Sequence, residues 1–405
     1  MQKNVSVIAA AVLAVLAGAS HAGDVTVSGF LTAGAGVADD DESENYAGYV
    51  EEDFTFDNDT VFGLQVSSAV NDKLTVTGQL IARGINDYEV DAEWAYLSYA
   101  VTDTFTWRMG RFRTPLYLYS DYVDVGYAFS WIRAPREVYY LPFNNVQGID
   151  FIKQYSLGSW DGSIQGYFGA LTDSFFNENL QAELSTELRN QMGLSFTIGN
   201  DWFTMRAAYH QAELALTGYE GNTIVPGAFC PSLQGVFGPT ACTVSGFTDV
   251  VLPALGFNSN IDRLKTDDDG HFLALGFTID TGTFVASGET IEFEIEDAPF
   301  SIDKRSYLML GVRFGDFLLH ATGARARDEA ADLSSGITIT NATDALIVGV
   351  LDGLAEATVE DSDTVSVGLR WDFTSSAAFK LQVDDYTNDV LGDQKVVSFA
   401  ISTVF

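Results

Sequence analysis

Charged and aromatic side chains crowd into one stretch, residues 114–145, directly after Met109-Gly110-Arg111-Phe112-Arg113. The stretch mixes carboxylates, guanidiniums and tyrosines. Opposed carboxylates and guanidiniums in a confined aqueous gap create a strong transverse electric field. Polar solutes align with such a field, whereas apolar solutes must disrupt ordered water. The chemistry that these residue types offer is therefore the sorting of small solutes.

Catalysis has no comparable support in the sequence. Beyond residues 1–22 the histidines are His210, His271 and His320, and none lies in a motif with a nucleophile. We expect no reaction and no cofactor. We also expect no dedicated metal site, because no twelve-residue calcium loop is present. A weak metal contact between His210 and His271, at the outer ends of neighbouring predicted strands, stays open.

Two cysteines, Cys230 and Cys242, are a candidate disulfide in the longest predicted loop. Their spacing is not the Cys-x-x-Cys of a redox-active pair. A bridge would close a loop of about 13 residues and stabilise the fold by roughly 3 kcal/mol through the unfolded state. Two free thiols are the alternative.

The first 22 residues have the order of a cleaved secretory signal peptide. Lys3 precedes an apolar run from Val5 to Ala17, and small residues then lead to Ser20-His21-Ala22. The run is shorter than the roughly 20 residues that a membrane-spanning helix needs. We predict that residues 1–22 are removed and that residues 23–405 work outside the cytoplasm.

Alternation of apolar and polar residues recurs throughout residues 23–405. Val365-Ser366-Val367-Gly368-Leu369 is one example, and Ile291-Glu292-Phe293-Glu294-Ile295-Glu296 sets three glutamates against three large apolar side chains. Side chains of a strand alternate between its faces, so each segment has one apolar and one polar side. Segments of about 10–14 residues suit strands that cross a membrane at a tilt better than strands of a soluble sandwich. The predicted strands are 24–37, 54–70, 73–84, 91–101, 105–113, 146–156, 161–171, 188–199, 202–213, 268–280, 283–296, 303–314, 317–328, 361–374, 377–388 and 393–405.

Connections between these strands are of two kinds. Seven are tight turns with turn-forming residues, such as Asn71-Asp72 and Gly315-Asp316, and eight are mostly longer, up to 214–267. Short turns on one rim, long loops on the other and an even strand count are typical of bacterial outer-membrane barrels. We predict an all-β, transmembrane antiparallel β-barrel of 16 strands. Counts of 14 or 18 stay compatible with the pattern.

The charge balance excludes one class of partner. With 56 acidic and 21 basic residues the formal net charge is −35, which argues against nucleic acid. Acidic runs such as 39–42 and 267–269 fall in predicted outer loops. They form either an ordinary solvated surface or a mouth that attracts cations and bridges to lipopolysaccharide through calcium. Charged residues on polar strand faces are expected to be pore lining, namely Arg189, Arg206, Glu292, Glu294 and Lys380.

The exit Gly110-Arg111-Phe112-Arg113-Thr114-Pro115 and the long third loop after it resemble the Gram-negative general porin family. The sixteen-strand layout extends the resemblance over nearly all of residues 23–405. The resemblance implies a homotrimer of outer-membrane barrels. It also implies a third loop, here about 114–145, that folds into each lumen and sets a constriction between loop acids and wall arginines.

Carried over residue by residue, the resemblance makes Arg111 a wall arginine and Asp121 and Asp124 the loop acids. Arg83 and Arg113 are added to the predicted constriction. Arg83 shares the polar face of the third predicted strand with Thr77 and Gln79, so it should point into the lumen. Strict alternation puts Arg111 on the face of Trp107 and Met109. Either those two face the lumen or a bulge intervenes near Gly110. The terminal Phe405 resembles the signal by which outer-membrane proteins reach the barrel-insertion machinery, although Thr403 departs from its usual pattern.

The expected function is passive diffusion of small hydrophilic solutes and ions through an outer-membrane porin that prefers cations and is surrounded by outer-membrane lipid and lipopolysaccharide. One alternative is a substrate-specific channel for sugars or oligopeptides, with the tyrosines of the third loop as a stacking surface. A barrel enzyme or an adhesin is the alternative from a different class.

Overall fold

The computed structural model describes residues 25–39, 46–49, 54–177, 182–217, 230–264, 267–388 and 392–405. The predicted signal peptide (residues 1–22) and the acidic residues 40–42 lie outside these ranges. Within them, sixteen antiparallel strands pair in chain order, and β1 closes on β16 with Phe30 opposite Val404. The predicted closed 16-stranded barrel is confirmed. The strands are β1 (Val25–Ala38), β2 (Val61–Ala69), β3 (Leu74–Arg83), β4 (Val90–Thr102), β5 (Phe105–Arg113), β6 (Asn145–Leu157), β7 (Trp160–Asn177), β8 (Ala182–Gly199), β9 (Phe203–Thr217), β10 (Asp267–Asp280), β11 (Phe284–Ile295), β12 (Asp303–Phe314), β13 (Phe317–Arg327), β14 (Asp361–Thr374), β15 (Ala377–Asn388) and β16 (Gln394–Val404).

The two faces of the barrel wall differ in the way that the alternation predicts. On β14 the side chains of Thr364 and Ser366 are buried, whereas Val365 and Val367 are 57% and 49% exposed. Burial on a closed barrel marks the inward side, so the polar face looks inward and the apolar face outward. A closed ring also leaves no backbone edge unpaired against lipid.

The strand bounds differ most from the prediction in β2, β7, β8 and β9. The strand predicted at 54–70 begins at Val61, because Asp57, Asn58 and Asp59 form a turn in which the Thr60 N–H donates to the carbonyl of Asp57 at 3.1 Å. β7 extends to Asn177 and β8 begins at Ala182, so both strands are longer than predicted.

Part of β11 reverses the expected polarity. Ile291 and Ile295 are 3% and 7% exposed and pack, with Phe293, into the barrel interior. Glu292 and Glu294 therefore lie on the outward face, and the prediction that they line the pore is wrong. The physical reason is that the interior beside this strand is filled by apolar side chains rather than by water.

Short helices lie in the long connections. A helical module, residues 230–264 and 333–356, has its own apolar core that includes Leu252, Ile347 and Leu351. Asn341 caps the longest helix with a reciprocal capping box to Asp344. In the described part of the chain no helix is long and apolar enough to span a membrane. The helices are α1 (Cys230–Phe237), α2 (Val244–Gly246), α3 (Leu252–Leu255), α4 (Asn258–Ile261) and α5 (Ala342–Glu356); a π turn spans Phe247–Val251, and 3-10 turns span Gly84–Asn86, Ser120–Tyr122, Gly126–Ala128 and Asp262–Leu264.

Candidate functional site

The third loop, residues 114–144, joins β5 to β6 and makes contacts around most of the barrel wall. Its first residue, Thr114, accepts a hydrogen bond from Gln191 on β8, and the carbonyl of Pro115 accepts one from Arg206 on β9. Farther along, the loop contacts inward-facing residues of β10 to β16, β1 and β3. Residues 114–120 are all buried. The loop is thus held by the wall along its length.

Aromatic side chains of the third loop pack against β10 to β13. Tyr117 meets the ring of Phe272 edge-on at 5.4 Å, and Trp131 meets Tyr307 at 5.5 Å. The indole N–H of Trp131 also donates to Thr322 at 2.7 Å. Such edge-to-face pairs stabilise a packed interior beyond their buried area. This arc of the barrel is therefore filled by an aromatic cluster.

Glu289 on β11 binds two separate parts of the third loop, one near its start and one near its end, to the barrel wall. Its carboxylate accepts the backbone N–H of Leu118 at 2.7 Å and the hydroxyl of Tyr139 at 2.6 Å. Tyr119 is joined to the neighbouring Ser287 by a 2.7 Å hydrogen bond between the two hydroxyls. Because Tyr117 and Tyr119 are only 4% and 7% exposed, they do not offer the stacking surface that a substrate-specific channel was expected to use.

Asp124 is held in an ion-pair latch with Arg83, Arg113 and Glu93. Arg83 donates to Asp124 at 2.9 and 3.0 Å and to Glu93 at 3.1 Å. Arg113 donates to both carboxylates as well. Burial alone would raise the pKa of Asp124, but the guanidiniums of Arg113 and Arg83 offset it and lower the pKa to about 2. The latch is a closed contact rather than a gap between opposed charges.

Glu93 is the member of this latch that sequence reasoning missed. Trp94 pairs with Gln79 and Ala92 with Leu80, so Glu93 is an extra residue with no partner on β3. An extra residue in one strand is a β-bulge, which re-aims side chains. Here the bulge puts the Glu93 carboxylate between Arg83 and Arg113. Nothing in the local sequence marks the bulge.

Basic side chains of β14 and β15 hold the loop by its backbone. The ammonium of Lys380, only 1% exposed, donates to the carbonyls of Gly126, Phe129 and Trp131, the second at 2.8 Å. Arg370 donates to the carbonyls of Tyr127 and Phe129 at 2.8 and 2.7 Å. Lys380 was expected to be plain pore lining, but its N–H donors are used to fix the backbone of the loop.

Arg133 ties the third loop to the first long connection. It donates to Asp59 at 2.9 and 2.6 Å and to Asp384 on β15 at 2.6 Å. Tyr49 donates its hydroxyl to the same Asp59. Tyr46 and Tyr49, 2% and 1% exposed, pack with residues of β1, β15 and β16. This contact fills a second arc of the barrel.

Asp121 and Arg111 lie apart from the latch. The carboxylate of Asp121 is exposed, and its charge acts on Arg108 and Arg206. The guanidinium of Arg111 lies 4.0 Å from the carboxylate of Asp173, which is itself half exposed. The structure therefore does not bring Arg111 to the loop acids. Gly110, just before it, has a φ of +139°, although the pairing of β5 with β4 and with β6 continues through Gly110 without a shift.

The sulfurs of Cys230 and Cys242 are bonded in the structure, at 2.04 Å, inside the helical module. Cys242 is 2% exposed and belongs to the apolar core of that module. Among the described residues, no group of three or more His, Cys, Asp or Glu side chains could hold a metal ion. The disulfide lies away from the third loop and its anchors.

The sequence matches no known family model and no curated protein. Solved structures do match. A loop L8 deletion mutant of OmpT, an outer membrane protein of Vibrio cholerae, is 14% identical with a TM-score of 0.56 over 94% of this chain and 99% of that chain. The in-vitro folded trimer form of OmpT from Vibrio cholerae is 14% identical with a TM-score of 0.52 over 95% of this chain and 100% of that chain. OmpF of Salmonella typhi in complex with daunomycin is 12% identical with a TM-score of 0.52 over 94% and 97%. At these identities the likeness shows the fold, a 16-stranded barrel of the kind found in outer membrane proteins.

Proposed function

We propose that this chain is an outer-membrane porin through which small hydrophilic solutes and ions diffuse passively, without catalysis and without a cofactor. The observation that carries the proposal is the closed ring of sixteen strands with an apolar outer face and a polar inner face. A ring of this size encloses an open lumen unless another element narrows it. The third loop is that element, because it contacts inward-facing side chains on β1, β3 and β8 to β16.

The passage is proposed to prefer cations. In the latch the two guanidiniums of Arg83 and Arg113 are balanced by the carboxylates of Asp124 and Glu93. Asp121 is left as an exposed acid of the loop, and the whole chain carries a formal charge of −35. An acidic mouth raises the local concentration of cations.

The remaining parts of the proposal concern export and assembly. Residues 1–22 direct export and are then removed. The chain forms a homotrimer in outer-membrane lipid, with lipopolysaccharide around it. Phe405 is recognised by the barrel-insertion machinery. Support for trimers comes from the trimer form of the Vibrio cholerae neighbour. Phe405 is 63% exposed, and its backbone is fixed by hydrogen bonds with Gly29 at 2.8 and 2.9 Å.

Swelling of proteoliposomes in sugars of increasing size tests the proposal. We expect the swelling rate to fall smoothly with solute size, and no swelling with protein that was heat-unfolded before reconstitution. Reversal potential across a salt gradient tests the cation preference. A folded barrel that admits no sugar would overturn the proposed function, and an anion preference would overturn the charge argument alone.

A substrate-specific channel is the second candidate, and one observation favours it. Tyr122 is 38% exposed beside the exposed carboxylate of Asp121. Burial and the charge of Asp121 raise the pKa of Tyr122 to about 12, so the ring stays neutral and available for stacking. Current that saturates with one sugar or peptide and is blocked by it would favour this candidate, whereas linear current would favour the general pore.

A further inference from the structure

The outward face of β13 is a groove between two rows of larger side chains. Its floor is formed by Gly323 and Ala321, which are exposed on that face. The exposed side chains beside the floor are Leu308 and Leu310 on β12 and Val365 and Val367 on β14. Neighbouring strands lie about 4.8 Å apart, so the two rows are roughly 10 Å apart. Since apolar groups touch at about 4 Å, one extended hydrocarbon chain fits between the rows.

The floor of this groove is open at Gly323. Apart from its chain neighbours, a Cβ at that position would have no atom within 4 Å. Gly288, on the far side of β12, is a contrast, because a Cβ there would lie 2.8 Å from the ring of Phe277. Towards the short turns the groove widens into an apolar depression of about 430 Å³ that Ala321 and Leu319 help to line. The small residues of β13 are thus uncovered, whereas the protein itself covers Gly288.

Arg325 lies at the end of the groove that is nearest to the long loops. It is exposed on the same face as Gly323, and its neighbours in the sheet are Ser306 on β12 and Asp363 on β14. Asp363 is paired with Arg327 instead. In the part of the chain that the structure describes, the guanidinium of Arg325 therefore has neither an ion pair nor a hydrogen bond. A free guanidinium at the border of an apolar surface suits a phosphate group.

Other basic side chains on this part of the outward face are already paired with acids. Lys304 contacts Glu329 at 2.7 Å, and Arg327 contacts Asp361 at 2.8 Å. A free phosphate ion would meet these acids and gain nothing from the groove. A molecule that joins a phosphate to a hydrocarbon chain gains the contact with Arg325 and the packing of its chain between the two rows. The groove and the arginine together therefore select a phosphorylated lipid.

Resting on the proposed outer-membrane location, we propose that the groove on β13 binds lipid A, the phosphorylated and acylated part of lipopolysaccharide, with a phosphate on Arg325 and one acyl chain along Gly323 and Ala321. The position of Arg325 gives the leaflet, because the long loops of bacterial outer-membrane barrels lie on the extracellular side. Lipid then covers the face from β12 to β14, and copies of the chain meet at another face.

Native mass spectrometry of the full chain in mild detergent, with lipid A added, tests the phosphate contact. Arg325→Gln is expected to weaken retention of lipid A about tenfold, the factor for one lost charge-assisted hydrogen bond. Arg327→Gln removes the same charge two positions away and is the matched control. Because Arg327 is already paired with Asp361 and Asp363, its substitution should leave retention unchanged.

Gly323→Leu tests the groove. The new side chain enters open space, so the midpoint of thermal unfolding should stay as it is while the acyl chain loses its place. We expect retention of lipid A to fall in this variant as well, with the number of copies in the assembly unchanged.

The outcomes separate the lipid site from the proposed function. Equal loss in Arg325→Gln and Arg327→Gln, or full retention in Gly323→Leu, would overturn the site and leave the porin standing. Phosphatidylglycerol retained as strongly as lipid A would overturn the choice of lipid A. A changed number of copies in Gly323→Leu at unchanged retention would show that a second copy of the chain covers the groove, which also overturns the proposal. Absence of ionic current with normal lipid retention would overturn the porin function alone.

Discussion

Asp121 and Asp124 are the same residue type, three positions apart in one loop, yet the structure gives them opposite surroundings. Asp124 lies between two guanidiniums on β3 and β5, and Asp121 is exposed beside Tyr122. A charged side chain inside a barrel can therefore either fix the constricting loop or face the solute. The residue type alone does not show which of the two roles it has. Contacts made by each carboxylate decide the role.

The same contrast applies to the two sides of the third loop. On one side Trp131, Tyr117 and Glu289 fill the space against β10 to β13. On the other side Asp121 is exposed, and its charge acts on Arg108 of β5 and Arg206 of β9. A packed side makes the loop rigid, and an open side leaves room for solute. Substitutions on the two sides should therefore change different measurements.

The largest effect is expected from Trp131→Ala on the packed side. The side chain is 1% exposed, and its removal leaves a cavity and an unpaired hydroxyl on Thr322. Loss of a buried Trp costs roughly 3–5 kcal/mol. We expect a lower midpoint of thermal unfolding in detergent and noisier single-channel current. Trp107→Ala, on the outward face at 45% exposure, is the control and should have the smaller effect; equal effects would contradict the packed interior.

Asp124→Asn should have the next largest effect. The substitution leaves Arg83 and Arg113 short of one carboxylate, and breaking a buried ion pair costs roughly 3 kcal/mol. Frequent current fluctuations at unchanged ion selectivity are expected, because the latch holds the loop and does not face the passage. Asp121→Asn is the matched control and should show the reverse, steady current with a lower cation share. Identical behaviour of the two variants would remove the distinction between them.

A change of pH should have the smallest effect on the latch. The pKa of Asp124 is lowered to about 2, against an ordinary value of 3.8. A lowered folded-state pKa means that the stabilisation is complete above about 4 and is lost only as the pH falls towards 2. Current noise should therefore stay constant between pH 7 and pH 4. A rise in noise on going from pH 7 to pH 5 would show that another group controls the loop.

The barrel could be predicted because the period-two alternation is repeated in strand after strand. Val365 is exposed on the outer face and its neighbour Ser366 is buried on the inner face. The alternation of apolar and polar residues in the sequence follows this alternation of faces. The alternation is misleading on β11, where Ile291 and Ile295 face inward because loop aromatics, not water, lie beside them. A strand pattern alone does not say what fills the space on its inner side.

The candidate site was predictable in part. Arg83, Arg113 and Asp124 are brought together. The resemblance pointed to Asp124, and the polar face of the third strand pointed to Arg83. Glu93 joins them only through a bulge, which has no local sequence signal. Arg111 pairs with Asp173 instead of a loop acid, since the path of β5 beyond Gly110 depends on backbone geometry rather than residue type.

Single-channel conductance of the refolded protein in a planar bilayer tests the central claim most directly, namely that the polar inner face encloses a water-filled path past the third loop. The account predicts discrete steps whose size grows in proportion to salt concentration, with closures in steps of three if the chain is trimeric. A folded, membrane-inserted barrel that carries no ionic current at any salt concentration would contradict it.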